Sequence, residues 1–199
     1  VVCDNASTDE TVQIVQGIAA KDPRVSLQAF EEGVDIKQSF ERAARTCTGD
    51  YFLFAPADDM WTPDFVEAAV GRMQGNPNAA VCCGRIELFD DAGHRWNSTG
   101  LKKVHGPQYK RWRLALMQMD ASRFYGLIRA TALHGMFPKD APEGWDHYAA
   151  AKLAWHGDVE VVDMTAMHRH QTPTEVYKVR MLEQERSFWG RVFFMRHVA

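Results

Sequence analysis

Nothing in this sequence of 199 residues approaches the roughly 20 consecutive apolar side chains a membrane-spanning helix needs. Cysteine is scarce: the four thiols are Cys3, Cys47, Cys82 and Cys83, and their spacing matches no zinc motif. Cys82 and Cys83 are neighbours in a strand-like run, so their side chains point to opposite faces. The expectation is reduced core cysteines in a cytosolic protein. Positive charge is not in excess, with 23 Lys and Arg against 26 Asp and Glu and a net charge of −3. That excludes a nucleic-acid binder relying on a global positive field, though not a local basic patch. No Gly-x-Gly-x-x-Gly follows a strand-like run, so the signature of a dinucleotide-binding oxidoreductase is missing. Internal repeats and low-complexity segments are also missing. The chain opens on Val1-Val2-Cys3-Asp4, without Met or a signal-peptide pattern. It reads as the middle of a buried strand, and an upstream segment is expected.

What is present suits one well-filled globular domain: 46% of residues are hydrophobic and 25% charged. Val1 to Cys3 is a parallel-strand signature. Ser7-Thr8-Asp9-Glu10 predicts a capping box, followed by Val12, Val15, Ile18 and Ala19 at helical spacing up to Asp22-Pro23. Val25 to Phe30 alternates like a strand, and Phe40, Ala43, Ala44 and Cys47 mark the next helix, ended by Gly49. Tyr51 to Ala55 reads as a central buried strand leading into Pro56-Ala57-Asp58-Asp59. Thr62-Pro63 predicts a capped helix start. Ala79 to Phe89 is a strand, turning at Asp90-Asp91-Ala92-Gly93. Asn97 to Pro107 is the expected mobile loop, Leu114 to Met119 a helix and Phe124 to Ile128 an extended segment. Trp145 to His156 is a helix closed by Gly157, Val159 to Val162 a strand, and a carboxy-terminal helix is expected from Thr174 onward.

This β-α-β-α-β order implies a parallel sheet with helices on both faces, whose ligands sit beyond the carboxyl ends of the strands. Two such ends carry carboxylates, Asp4 after the first strand and Asp58-Asp59 after the third. Adjacent acids repel, at a cost that a cation or hydrogen-bond donors would offset. One reading is a pair of acids before a helix start, where Asp is favoured. The other is a hard divalent cation held by one or two carboxylates and substrate phosphates.

Four segments resemble glycosyltransferase family 2, in that family's order. They are Val2-Cys3-Asp4-Asn5-Ala6-Ser7-Thr8-Asp9-Glu10-Thr11; the run from Gly49 through Asp58-Asp59 into a DXD-type motif; Ser122-Arg123-Phe124-Tyr125-Gly126-Leu127-Ile128-Arg129; and Glu143-Gly144-Trp145-Asp146. The resemblance implies an α/β, Rossmann-like nucleotide-diphospho-sugar transferase fold of the GT-A type, with a mainly parallel mixed sheet flanked by helices. It implies one glycosyltransferase domain: residues 1–95 bind the nucleotide sugar, 96–173 hold the acceptor and catalytic part, and 174–199 form the carboxy-terminal helix. Asp4, Asn5, Ser7, Asp9 and Asp58 would bind the nucleotide sugar, Asp4 at the base and Asp58 at the ribose. Asp59 would ligate Mn²⁺ or Mg²⁺, and His170 would complete the metal shell, with His168 the alternative. Asp146 would be the general base of an inverting displacement. The implied donor is a UDP-sugar or another nucleotide-diphosphate sugar, and the implied acceptor a saccharide or lipid-linked hydroxyl.

The sequence also departs from the family pattern. The first strand and helix, roughly 30 residues for such a unit, are absent. The three-acid run keeps only its last two acids in Ala57-Asp58-Asp59, and Ser39 stands where the family often has Asn. A non-catalytic or truncated nucleotide-sugar-binding module is therefore the rival reading, and Asp146 read alone is a plain acid of a helix first turn. Lys102, Lys103, Lys110, Arg111 and Arg113 either meet a diphosphate or anionic acceptor, or form a solvated face. The tail from Phe188 to Arg196 either lies on a membrane surface near a lipid-linked acceptor or packs as a helix on the sheet or on a neighbour. The expected location is the cytoplasm, including the inner face of the membrane. No nucleic-acid partner is expected, and a homodimer is left open.

Overall fold

A computed structural model describes residues 1–98, 102–118, 121–139 and 144–170. Two long strands form its spine: β5 (Ala79–Phe89) and β8 (Asp158–His170) run parallel for their whole length. The other strands are β1 (Val2–Asp4), β2 (Leu27–Ala29), β3 (Tyr51–Phe52), β4 (Asp59–Trp61), β6 (Arg95–Asn97) and β7 (Leu127–Arg129). They make a six-stranded sheet in the order β3-β7-β5-β8-β4 with β6 also on β5, and a separate parallel pair, β1 with β2. The helices are α1 (Thr11–Ala19), α2 (Ile36–Arg45), α3 (Phe65–Gly75), α4 (Gln108–Met117) and α5 (Trp145–His156).

The residues of β5 explain why it lies in the middle. Ala79 through Gly84 are all buried, so both faces of the strand are covered, as an almost continuous apolar run requires. Cys82 faces α3, where Phe65, Ala69 and Met73 recur at four-residue spacing. Cys83 faces the opposite layer, in a cluster with Phe54, Phe124, Ala149 and Leu153. The two cysteines thus point apart as expected and are free thiols. Burial, with Glu160 next in weight, pushes the Cys82 thiol up to about 12, which keeps it protonated and inert.

The α/β class and the mixed sheet flanked by helices hold, but the sheet is less parallel than expected. Among the described residues, parallel pairing joins only β1 to β2 and β5 to β8, and the other pairings are antiparallel. Tyr51 to Ala55 is not a central strand. Only Tyr51 and Phe52 pair, antiparallel to β7, while Phe54 turns into the aromatic core. The capping box does not form, because the Ser7 backbone N–H donates to the Asp4 carboxylate at 3.0 Å and α1 starts at Thr11 without a side-chain cap. The helix expected at Thr62-Pro63 starts at Phe65, after a turn closed by the Phe65 N–H on the Thr62 carbonyl.

Phe124 and Tyr125 lie in a 3-10 turn (Ala121–Tyr125), and the extended segment begins only at Leu127. In the expected mobile loop, Val104 is buried and bridges to Val159. Strand β8 continues well beyond Val162 and takes in Met167 to His170, which had been expected past its end. By contrast β5, its turn through Gly93 (φ +81°) and α5 match the sequence reading. The carboxy-terminal helix expected from Thr174 lies outside the described residues, as do Met119 and Glu143.

Candidate active site

The catalytic candidates are placed by one aromatic cluster. Phe54 stacks on Phe124 with ring centroids 4.5 Å apart and planes 6° from parallel. Trp145 meets Phe124 edge-on at 5.3 Å, and Phe40 of α2 touches Phe54, Phe124 and Trp145. Offset-stacked and edge-to-face aromatic contacts of this kind each add about 0.5–1.5 kcal/mol beyond burial. A site residue follows each anchor along the chain: Asp58-Asp59 after Phe54, Tyr125 after Phe124, Asp146 after Trp145. Gly126 lets Tyr125 take its place, since a Cβ there would meet Val81, the Cys82 carbonyl and the Cys83 sulfur at 2.5–2.9 Å. Gly144, at φ +81°, caps the start of α5 in a conformation other residues rarely adopt.

Asp59 is the most unusual carboxylate here. Its side chain is 1% exposed, and neither oxygen has a hydrogen-bond partner. A carboxylate in that state costs stability unless a charge offsets it. Burial pushes its pKa above the ordinary carboxylate value, the Arg169 charge pulls it back, and the Asp58 charge raises it again. Asp59 is the β4 partner of Arg169 on β8, and the two face the same way. The Arg169 Nε lies 3.7 Å from Asp59 Oδ1, an ion pair too long to be a hydrogen bond. The guanidinium also rests over the Tyr125 ring, 4.8 Å from its centroid. Burial opposes the Arg169 charge, but Tyr125, Asp59 and Asp58 together hold its pKa above the usual value. Burial likewise raises the Tyr125 hydroxyl, Arg169 lowers it, and both Asp146 and Asp59 raise it. Tyr125 is thus the group that feels Arg169, Asp146 and Asp59 alike.

Asp58 is exposed beside this group. Asp146 is half-buried in the first turn of α5, its Oδ1 accepting the His147 N–H at 3.0 Å. It is not the N-cap, which is Gly144 without a side-chain bond. His170 is not brought to Asp59. The strand alternation that aims Arg169 inward turns His168 and His170 to the opposite face. There the His170 Nε2 meets Asp91 Oδ1 at 2.8 Å, and the His168 Nδ1 lies 3.4 Å from Glu87. Among the described residues, no group of three or more His, Cys, Asp or Glu is placed to hold a metal ion. The orphaned Asp59 carboxylate does fit a hard cation completed by phosphate oxygens and water, the arrangement Mg²⁺ usually takes.

The amino-terminal candidates belong to the β1–β2 unit. Asp4 is 5% exposed and accepts the Ser7 N–H. Asn5 binds the Val34 backbone at both ends of its amide, at 2.8 and 3.1 Å, so its side chain fixes a loop. Asp9 is exposed and accepts the Thr11 N–H, and the Thr11 hydrogen bonds hold its pKa below the usual value. Helix α2 lies against β1 and carries Phe40 into the aromatic cluster, which links the two halves.

The basic cluster lies elsewhere. Arg111 donates to the Ala154 and Trp155 carbonyls at the end of α5, and Lys103 lies 3.8 Å from Glu160. These contacts cluster at the start of β8, on the order of 30 Å along the strand from Arg169. A cavity of about 580 Å³ opens at that same end, bordered by Asn78, Arg111, Arg129, His156 and Asp158. Its arginines are already used, Arg129 donating to the Ala79 and Met73 carbonyls, so we read it as a gap between capped helix ends. Arg169 and Tyr125 are the residues that sequence reasoning missed. Their signal was the alternation His168-Arg169-His170, which sets Arg169 apart once β8 is recognised to run that far.

Comparison with known proteins bears on this arrangement. A family model described as Glycosyl transferase family 2 matches residues 1–135. The chondroitin synthase of Escherichia coli is 29% identical over 93 residues, which is 47% of this chain and 13% of that protein. The crystal structure of S. aureus TarS 1-349 in complex with UDP-GlcNAc superposes with a TM-score of 0.67 at 17% identity, over 85% of this chain and 48% of that one. A further TarS crystal structure gives 0.64 at 18% identity, over 91% of this chain and 32% of that one. Identities this low establish a shared fold. The chain spans about half the length of TarS 1-349 and a much smaller share of the synthase.

Proposed function

The chain belongs to glycosyl transferase family 2, and from that premise we propose that it transfers a sugar from a UDP-sugar to an acceptor hydroxyl, with inversion at the anomeric carbon. Supporting the donor assignment, a structural relative was solved with UDP-GlcNAc and another with UDP. The observation that carries the reading is the buried Asp59 carboxylate, which makes an ion pair with Arg169 but no hydrogen bond.

In the proposed reaction the acceptor oxygen attacks the anomeric carbon from the face opposite the diphosphate. The carbon–oxygen bond to the diphosphate breaks, and Asp146 takes the acceptor proton. A carboxylate positioned within reach of the acceptor hydroxyl is the type of group that takes such a proton. Asp58 and the Asp4 side chain bind the ribose and base of the nucleotide. Asp59 is the protein ligand of a divalent cation, Mn²⁺ or Mg²⁺, which when bound supplies Lewis-acid neutralisation of the leaving diphosphate. His170 has no part in this version. The acceptor is a saccharide or a lipid-linked hydroxyl, the latter placing the protein at the inner face of a membrane.

Calorimetry with UDP-GlcNAc and Mn²⁺ tests the reading. Asp59→Ala is expected to abolish the metal-dependent share of donor affinity while keeping the melting temperature near that of the wild type. A variant with unchanged Mn²⁺-dependent affinity would remove Asp59 from the role.

A further inference from the structure

Charge is unevenly spread along a chain whose net charge is −3. From Ala92 to Met119 there is no Asp or Glu, while Arg95, Lys102, Lys103, Lys110, Arg111 and Arg113 all fall in that stretch. Helix α4 is its folded centre. Its inner side buries Ala115 and Leu116 in the core, and Arg111 caps the end of α5. Its outer side carries Tyr109, Lys110, Arg113, Leu114 and Met117, all exposed. At 3.6 residues per turn these five lie in one arc of about 140°. Tyr109 and Met117 are 66% and 67% exposed and Leu114 37%. Lys110 and Arg113 make no hydrogen bond or ion pair among the described residues. A single exposed Leu or Lys needs no explanation. Three apolar side chains interleaved with two unpaired cations on one face of an acid-free helix do.

We propose that the outer face of α4 docks on a membrane surface that contains anionic lipid. Lys110 and Arg113 meet headgroup phosphates, each adding about fivefold to affinity near an anionic leaflet. Their aliphatic stems lie along apolar surface while the charges stay in the headgroup layer. The amphipathic Tyr109 ring suits the same depth, and Leu114 and Met117 reach the acyl boundary. A soluble polyanion would use the two cations but leave Leu114 and Met117 in water, so the interleaving favours the lipid surface. Position adds a consequence. Helix α4 begins at the end of α5, where Gln108 donates to the Trp155 carbonyl and Trp112 meets the Trp155 ring. By Phe124 the chain has reached Trp145, the first residue of α5. Helix α4 and the segment after it thus lead back to the end of α5 that carries Asp146. The docking goes beyond the transfer reaction proposed above and does not depend on it. Combined with that reaction, it sets the membrane on the side from which a lipid-linked acceptor would arrive.

The test is co-sedimentation of the 199-residue chain with vesicles of phosphatidylcholine alone and of phosphatidylcholine mixed with phosphatidylglycerol. Wild type is expected to bind only the mixed vesicles. Lys110→Gln with Arg113→Gln should lower that binding by about 25-fold, two steps of about fivefold. Leu114→Ser with Met117→Ser should lower it by about tenfold, the scale of two partly buried apolar side chains. Lys21→Gln with Arg24→Gln makes the same charge change just after α1 and should move binding by less than about twofold. All six positions are exposed, so the variants keep the fold. A wild type that binds neither vesicle overturns the proposal. So does anionic binding that the α4 variants leave unchanged, or an equal loss in the Lys21 and Arg24 variant. Loss with the charge pair but not with the apolar pair overturns the lipid as occupant and points to a soluble polyanion. A dimer in sedimentation velocity that Leu114→Ser with Met117→Ser dissolves overturns it too, because a second copy then covers the face. None of these outcomes touches the donor reading, which calorimetry with UDP-GlcNAc tests separately.

Discussion

The β1–α1–β2 unit and the β5–β8 slab are built to different standards. Helix α1 has no buried residue, and its Ile14 and Ile18 are 58% and 49% exposed. Helix α5 buries Ala149, Ala150, Ala151, Leu153 and Ala154. Asp4 is thus held by a short strand pair, a local hydrogen bond and α2, whereas Asp59, Tyr125, Asp146 and Arg169 are fixed by aromatic packing and two long strands. The proposed base contact of Asp4 lies in the less densely packed region and the proposed chemistry in the more densely packed one.

The contrast can be broken at its strongest point. Phe124→Ala, at the centre of the aromatic cluster, is expected to cost about 3–5 kcal/mol in urea unfolding. Ile14→Ala on α1 is expected to stay within about 0.5 kcal/mol. Similar losses at both positions would show that the two regions are equally well packed. Next in size is Asp146→Asn, which should lower the transfer rate by about 10²–10⁴-fold while leaving melting temperature and donor affinity near wild type. Near-normal transfer would make Asp146 a plain first-turn acid.

Asp4→Ala sharpens the comparison from the other side. It should weaken UDP and UDP-sugar by the same factor, about tenfold, with the Mn²⁺ dependence untouched. A loss confined to the metal-dependent part would undo the division of labour between the two halves. The smallest expected effect concerns pH, at the remote end of the slab. Burial, then the Lys152 and His134 charges, hold the His156 pKa below its ordinary 6.5 despite a favourable backbone hydrogen bond. The unfolded chain then binds the proton more tightly, so this histidine removes stability as pH falls through 6.5. His156→Gln should flatten the fall in melting temperature between about pH 7 and pH 5; an unchanged slope would mean the ring titrates alike folded and unfolded.

How far the sequence could be read depended on whether the local signal had a competitor. Strand β5 and helix α5 were legible end to end, because an apolar run closed by Asp-Asp-Ala-Gly and a helix closed by Gly157 have few other solutions. The Ser7–Glu10 capping box was a sound local pattern that lost to a buried acceptor, the Asp4 carboxylate. Tyr51 to Ala55 was misread because a short apolar run does not reveal whether its aromatics join a sheet or a ring cluster. Arg169 escaped notice because the polar Asp163, Thr165 and His168 interrupt the apolar pattern of β8 and disguise a strand as a loop. Asp4, Asp58, Asp59 and Asp146 were candidates by motif order; the neighbours of Asp59, Tyr125 and Arg169, could be seen only after two distant segments had folded together.

The adjacent cysteines of β5 have a practical consequence. Cys82 and Cys83 are sealed in opposite layers, and the Cys82 thiol stays protonated, so thiol-directed dyes at neutral pH are left with Cys3 and Cys47, both partly accessible. Cys3 immediately precedes Asp4. The chain therefore carries a native attachment point for an environment-sensitive probe beside its proposed base-binding residue, and Cys47→Ser would make that labelling single-site without touching the interior.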